Sequence, residues 1–338
     1  MTERYAELSN NAVYSATIVL TLALLAHVAE WAMARQLPAP ESVAARERAL
    51  VPVPEVAGGS AVVDRSGGGS DSLAPTAAYD AGLERSDRYG RIGFSLTMLG
   101  WLVLAAGVVL RGVAAHRVPW GNMYEFSITG CLAVGAAYIV LVRRYDIRWL
   151  GLLVTGFLVL VLGIAVVVLY RPLSPLVPAL HSYWLMIHVS AAAVAGGAYT
   201  VGALASVLYL MRRRLELKAI EHPELPRTGF LWRAPTAEAI DRVAYRVHAF
   251  AFPLWTFAVL CGAIWAQYAW GRFWGWDPKE VWAFITWVAY AAYLHARATA
   301  GWQGRAAAYV ALAGYATFLF NFVGINLFGS GLHSYAGM

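Results

Sequence analysis

The chain has 338 residues, of which 59% are hydrophobic and only 14% carry a charge. Soluble domains average about 25% charged residues, so this composition excludes a soluble globular protein. The net charge of +6 reflects an excess of Lys and Arg in the loops on one side of the membrane and does not indicate a nucleic-acid-binding face. We therefore predict an all-α polytopic membrane protein.

Eight apolar runs are long enough to cross a bilayer as helices of about 20 residues. The first run has neither a basic n-region nor a small-residue cleavage site, so we expect a membrane span and not a cleaved signal peptide. The predicted spans are 12–34, 93–110, 126–142, 149–169, 183–211, 249–269, 281–296 and 306–328.

The segment between the first two spans differs in composition from the rest. Residues 35–91 are rich in Ala, Pro, Gly and Ser and cannot bury enough apolar surface to fold alone. We predict a first span within 1–34, a flexible cytoplasmic linker at 35–91, and a seven-span domain at 92–338.

The basic residues predict the orientation. Of the 26 Lys and Arg residues, 20 lie in segments 35–91, 143–148, 212–246 and 296–305. Cytoplasmic loops of membrane proteins carry this excess of positive charge. Both termini are therefore predicted to be extracytoplasmic, as is the loop between spans six and seven.

That loop contains the densest motif of the sequence. Six of the 14 tryptophans fall within 265–287, and the run 270–280 reads Trp-Gly-Arg-Phe-Trp-Gly-Trp-Asp-Pro-Lys-Glu. An interfacial aromatic belt explains two or three of these tryptophans. Trp270, Trp274 and Trp276, separated by small residues, favour an open platform on which a large planar ligand stacks.

The end of the run has a structural and a binding interpretation. Asp277, Pro278 and Glu280 form the pattern of a capping box that starts the seventh span. A helix N-terminus also attracts anions, so Asp277 is kept as a cofactor-binding candidate. Arg272 and Lys279 are candidates for holding carboxylates.

Three histidines fall at two predicted depths. His188, at the start of span five, and His333, after span eight, lie at the depth of the tryptophan run. Two imidazoles beside an aromatic platform suit axial ligation of haem iron. His295 lies about 20 Å deeper and therefore belongs to another site or has a structural role.

Other polar residues carry weaker signals. Cys131 and Cys261 lie in separate spans without a C-x-x-C motif, so neither structural zinc nor thiol redox chemistry is expected. His27 and Glu30 are one helical turn apart in the first span, and their role stays open among pairing, haem entry and partner contact.

The remaining candidates are interpreted structurally. His222 and His248 are predicted to lie in cytoplasmic loops or at helix ends, and His116 on the outer surface. His181 is ranked below His188 as a ligand. Asn321 and Asn326 are expected to hydrogen-bond between helices. The small residues of 190–202 are expected to allow close packing, with haem contact as the alternative.

Several segments resemble motifs of the System II cytochrome c biogenesis family, whose members include CcsA and ResC. The run 270–280 is similar to its tryptophan-rich "WWD" signature. Residues 180–189 and 329–335 look like the stretches that carry its external histidines, and 293–297 like the one with its transmembrane histidine. Residues 119–125 resemble a further family loop. The resemblance covers about 93–338; the long linker departs from it and leaves the role of residues 1–92 open.

The resemblance implies a haem-handling subunit of a cytochrome c synthase that works with a CcsB (ResB) membrane partner. Haem b would enter at an inner site that uses His295 and a histidine of the partner. It would then be held between His188 and His333 on the external platform and become attached to the C-x-x-C-H motif of apocytochrome c. Thiol-reducing proteins of the same pathway and a bacterial cytoplasmic membrane are also implied.

Two other functions stay open at this point. A haem exporter would use the same site without attachment chemistry. A dihaem electron-transfer subunit would need two histidines for each of two irons, and at the inner depth only His27 and His295 lie within spans. The sequence offers no clear acid or base for catalysis.

Overall fold

The structure is a computed structural model, and it describes residues 2–38, 74–145, 147–175, 180–299, 301–329 and 331–333. Within these ranges the chain forms helices and turns, with one isolated β-bridge between Pro38 and Thr228. The prediction of an all-α polytopic membrane protein is confirmed.

The described residues form eight long helices, which pack as a bundle. In chain order they are α1 (Thr2–Met33), α2 (Ala74–Ala115), α3 (Met123–Tyr145), α4 (Gly151–Val167), α5 (Tyr183–Glu221), α6 (Ala237–Trp270), α7 (Pro278–Thr299) and α8 (Arg305–Leu319). A π-helical turn, Phe320–Gly324, and a short helix, Ile325–Phe328, extend α8, and one helical turn, Phe230–Arg233, lies between α5 and α6.

Seven of the helical segments described are long and apolar enough to span a membrane. Helix α7 is not among them, although its 22 residues extend about 33 Å at 1.5 Å per residue. Charged residues near both of its ends, including Lys279 and Arg297, lower its hydropathy. We refer to the bundle end that carries residues 270–280 as the tryptophan end, and to the opposite one as the basic end.

Helix α2 begins earlier than the sequence suggested. Its first residue is Ala74, inside the segment predicted to be a flexible linker. Ala, Leu, Glu and Arg are frequent between 74 and 91, and these residues favour helix over coil. The rest of the predicted linker, residues 39–73, lies outside the described residues.

Close helix packing positions the centre of the bundle. Helix α1 packs along α2, and α5 packs along α6 and contacts α3. At Gly197 of α5, an added Cβ would lie 2.7 Å from the backbone carbon of Ala133 in α3. The predicted role of the small residues in 190–202 is therefore confirmed.

A buried carboxylate fixes the loop before α3 at the tryptophan end. Glu125, fully buried, accepts hydrogen bonds from Arg111 Nε at 3.0 Å and Arg117 Nη1 at 2.7 Å. Its Oε2 also accepts from the backbone N–H of Gly121 at 2.7 Å. Arg111 in turn donates to the carbonyl of Arg171 at 2.8 Å, so one carboxylate connects α2, α3 and the segment after α4.

We expect Glu125→Gln to destabilise the protein by about 3–5 kcal/mol, because it leaves two arginines facing a neutral group in a buried site. The melting temperature of the purified protein measures this effect. Glu238→Gln is the matched control, since Glu238 and its partner Arg242 are exposed. Equal melting temperatures for the two variants would contradict this account of Glu125.

Candidate functional site

A cavity of about 480 Å³ extends from the tryptophan end into the described bundle. Helices α3 to α8 line it, mostly with apolar side chains. It extends along α5 from Leu185 to Thr200, a distance of about 22 Å. Its volume lies in the range of pockets that hold organic ligands, and both His188 and His333 line it.

His188 is held in one orientation by α6. Its Nδ1 lies 2.7 Å from the carbonyl oxygen of Ala258. A carbonyl only accepts, so Nδ1 carries the hydrogen and Nε2 keeps a lone pair. Gly262 makes room for the ring, since a Cβ there would lie 2.8 Å from it. The ring also stacks on Trp265 at a centroid distance of 6.1 Å.

His333 is held by a carboxylate. Its Nδ1 lies 2.8 Å from Oδ1 of Asp277. Burial lowers the pKa of His333 to about 4, against the opposing charge of Asp277. The ring is therefore neutral at pH 7, with its hydrogen on Nδ1. This carboxylate–histidine arrangement is the one that orients metal-binding imidazoles in proteins.

Asp277 connects two distant parts of the chain. Besides His333 Nδ1, its carboxylate accepts a hydrogen bond from the backbone N–H of Leu332 at 2.7 Å. The last described residues of the chain are thereby fastened to the first turn of α7. These bonds join a segment after the last helix to the start of α7, 56 residues earlier in the chain.

The predicted capping box at the start of α7 is confirmed. Asp277 Oδ1 accepts from the backbone N–H of Lys279 at 3.1 Å. Glu280 Oε2 accepts from the N–H groups of Asp277, at 3.0 Å, and Gly275, at 2.8 Å. Asp277 therefore caps the helix and orients His333 with the same carboxylate.

The tryptophans do not form one flat platform. Trp265 and Trp270 meet at 63°, and both pack against His333 with centroid distances of 5.5 and 4.7 Å. Trp274 lines the cavity. Trp276 has a positive φ of 59° and its side chain is 69% exposed, so it points away from the cavity.

The two cations of the loop also differ. Lys279 lines the cavity, and its Nζ donates to Asn326 Oδ1 at 2.7 Å, which confirms Asn326 as an interhelical hydrogen-bonding residue. Arg272 does not line the cavity, and its guanidinium lies directly over Gly275. Asn321 also lines the cavity, but its buried Oδ1 has no partner among the described residues.

His295 is not part of this site. It lies on α7 near the basic end, is exposed on the surface of the bundle, and does not line the cavity. His181 and His116 are exposed as well and also lie outside the cavity lining. His27 is buried and its Nδ1 lies 2.9 Å from Glu30 Oε2, so these two residues pair with each other.

The expectation for His248 was wrong. It is fully buried inside the bundle, in the fourth turn of α6, and not in a loop or at a helix end. Helix α6 starts at Ala237, well before the apolar run that began at residue 249, so the charged residues at 238–246 concealed this part of the helix.

Sequence reasoning also missed two residues that shape the site. Trp265 contacts both histidines, and Gly262 provides the space for one of them. Their spacing of three residues places them on one face of α6, which is a weak signal in an apolar span.

Comparison with known proteins identifies related sequences. Residues 120–333 match the model of the family described as "Cytochrome C assembly protein". A cytochrome c biogenesis protein CcsA from Guillardia theta is 34% identical over 258 residues, covering 72% of this chain and 85% of the relative. A CcsA from Synechococcus elongatus is 35% identical over 282 residues, covering 72% of this chain and 87% of the relative.

A solved structure has a similar fold. It is a cytochrome c haem lyase, CcmF, with a TM-score of 0.57 and 14% sequence identity. The match covers 94% of this chain but only 47% of that protein. At this identity the likeness concerns the fold alone.

The neutral state of His333 can be measured directly. We expect its 15N NMR signals, in protein with labelled histidine, to titrate with a midpoint near pH 4 and to stay constant above about pH 6. Asp277→Asn should lower the midpoint further, because the carboxylate charge raises this pKa. A midpoint near the ordinary value of 6.5 would contradict the burial of the ring.

Proposed function

Because the chain belongs to the cytochrome c assembly family, we propose that it is the haem-handling subunit of a cytochrome c synthase. It is an integral membrane protein with a role in cytochrome c biogenesis. Its substrate is haem b, held at the tryptophan end between His188 and His333. We place that end on the extracytoplasmic side of a bacterial cytoplasmic membrane, from the distribution of Lys and Arg.

One observation carries this proposal. Two imidazoles from distant parts of the chain line the same apolar cavity, and each has its Nδ1 engaged by an oxygen atom. We therefore assign Nε2 of each ring to haem coordination, as in axial haem ligands. The described residues contain no group of three or more His, Cys, Asp or Glu side chains that could hold a bare metal ion.

The remaining lining suits a porphyrin. Apolar side chains of α3 to α8 would cover the macrocycle, and Trp274 is part of the lining at the tryptophan end. Lys279 is the cation of the loop that faces the cavity, so we assign it to a haem propionate. Trp265 and Trp270 would support the ligand His333, while Arg272 and Trp276 lie outside the cavity lining.

Attachment joins haem to apocytochrome c at the open mouth of the cavity. The sulfur of each cysteine in C-x-x-C-H bonds to the inner carbon of a vinyl group, and the thiol proton ends on the outer carbon. The protein contributes proximity by fixing the macrocycle between two ligands. Thiol-reducing proteins of the pathway would keep the cysteines available for this addition.

We assign His295 to an inner haem site shared with a CcsB-type partner subunit. Its ring is exposed on the same face of α7 as Phe284 and Val288. An imidazole facing lipid at this depth is unfavourable, so a partner helix that covers it accounts for its position.

A dihaem electron-transfer subunit fits less well. His27 would be the second inner ligand, but its ring is fully enclosed. An added Cβ at Gly93 or Gly151 would lie 2.8 or 2.4 Å from it. A macrocycle cannot approach a ring packed in this way. A haem exporter would use the same cavity. Only the product would distinguish it from a synthase, since an exporter releases free haem and a synthase forms haem attached to cytochrome c.

Co-expression with the partner and an apocytochrome c tests the proposal. We expect covalent haem on the cytochrome, detected by haem staining after denaturing electrophoresis. His188→Ala and His333→Ala should reduce this product at least about tenfold, since the loss of even an outer-shell partner of a metal ligand typically costs about 10- to 100-fold. His181→Ala is the control and should have no effect. Release of unattached haem without covalent product would favour the exporter.

The variant His295→Ala tests the role of the inner haem site independently of the outer haem site. We expect less haem to copurify with the complex, because delivery starts at the inner site. Haem added to the purified variant should still bind at the tryptophan end with an unchanged spectrum. His222→Ala, which alters an exposed histidine near the basic end, is the control. A normal haem content in His295→Ala would contradict this role.

A further inference from the structure

A second polar cluster lies beneath the cavity and takes no part in the proposed chemistry. It consists of His248 of α6, Tyr199 of α5 and Tyr290 of α7, all fully buried. Tyr199 and Tyr290 stack at a centroid distance of 3.8 Å. The His248 ring lies 5.2 Å from the ring of Tyr290 and 6.1 Å from that of Tyr199.

Four polar atoms of this cluster have no hydrogen-bond partner among the described residues. They are both ring nitrogens of His248 and the hydroxyl oxygens of Tyr199 and Tyr290. The carbonyl of Gly202 interacts with the His248 ring, but it also accepts from Ser206 Oγ at 2.9 Å and forms no hydrogen bond of normal geometry with either ring nitrogen.

Such a concentration of unpaired groups is unfavourable in a membrane interior. Native proteins leave few buried polar atoms unpaired, and a buried unpaired group costs free energy comparable to a lost hydrogen bond. An imidazole contributes a donor and an acceptor, and each hydroxyl can act as either. A water molecule bonds about three such groups, and buried waters occur where two to four polar partners converge.

We propose that His248, Tyr199 and Tyr290 form a buried water-binding site inside the membrane domain. One or two waters satisfy the four atoms, by the usual number of bonds per buried water. On its other side the imidazole packs directly against Gly202, where an added Cβ would lie 2.7 Å from the ring, so the ring is held in place.

This site adjoins the cavity without being part of it. The Tyr199 ring contacts Trp255 and Phe318, which both line the cavity floor. Neither His248 nor the two tyrosines belong to the lining. One aromatic layer therefore separates the bound water from the space above it, and the inference does not depend on what the cavity holds.

Hydroxyl-radical footprinting of the full chain in detergent or nanodiscs tests the site. Radicals generated from bound water modify adjacent side chains even when these are buried. We expect Tyr199 and Tyr290 to be modified at least about fivefold faster than Tyr138, because ordered water touches their rings. Tyr138 is the matched control: it is equally buried, but its hydroxyl donates to the Arg148 carbonyl. Tyr268, which is 69% exposed, gives the upper reference rate.

Two variants of His248 test whether its polar atoms hold the water. His248→Phe removes two of the four polar atoms and should reduce modification of Tyr199 and Tyr290 at least about fivefold, since the two hydroxyls that remain offer fewer bonds than the roughly three that a buried water typically makes. His248→Gln keeps a donor and an acceptor and should retain most of it. If Tyr199 and Tyr290 in the wild-type protein are as slow as Tyr138, the site is dry and the inference is wrong, whether or not the variants fold.

Discussion

The carboxylate of Asp277 is the interaction on which the site depends. It caps α7, accepts from the backbone of Leu332 and orients the ring of His333. Residue 333 follows the last helix and has no regular secondary structure of its own. Two hydrogen bonds to one side chain therefore hold it beside the cavity. Since Asp277 immediately precedes the first residue of α7 and caps that helix, the helix and the ligand are positioned together.

Burial serves the same purpose at both histidines. A metal-binding imidazole must be neutral, and burial lowers the pKa of His333 despite the neighbouring carboxylate. His188 obtains its orientation from a backbone carbonyl, which carries no charge. The apolar lining that would cover a porphyrin thus also keeps the ligands in their binding form. Structure and proposed chemistry depend on the same exclusion of water.

The sequence predicts much of this fold because membrane spans are long and apolar, and because helix caps follow local rules. It also indicates His188, His333 and the capping role of Asp277. It does not predict contacts between distant residues, such as those from Asp277 to Leu332 or from Trp265 to both histidines. It misplaces His248 because charged residues hide the first turns of α6. The outward position of Trp276 depends on a left-handed backbone conformation that no pattern in the run 270–280 signals.

The absorption spectrum of the protein purified with its partner tests the central claim most directly. We predict a low-spin b-type haem spectrum. Either His188→Ala or His333→Ala should convert it to a high-spin form or abolish it, because each removes one axial ligand. His116→Ala, which alters an exposed histidine of the same end, should leave it unchanged. A haem-free complex, or a spectrum that neither substitution alters, would contradict the assignment of His188 and His333 as the ligands.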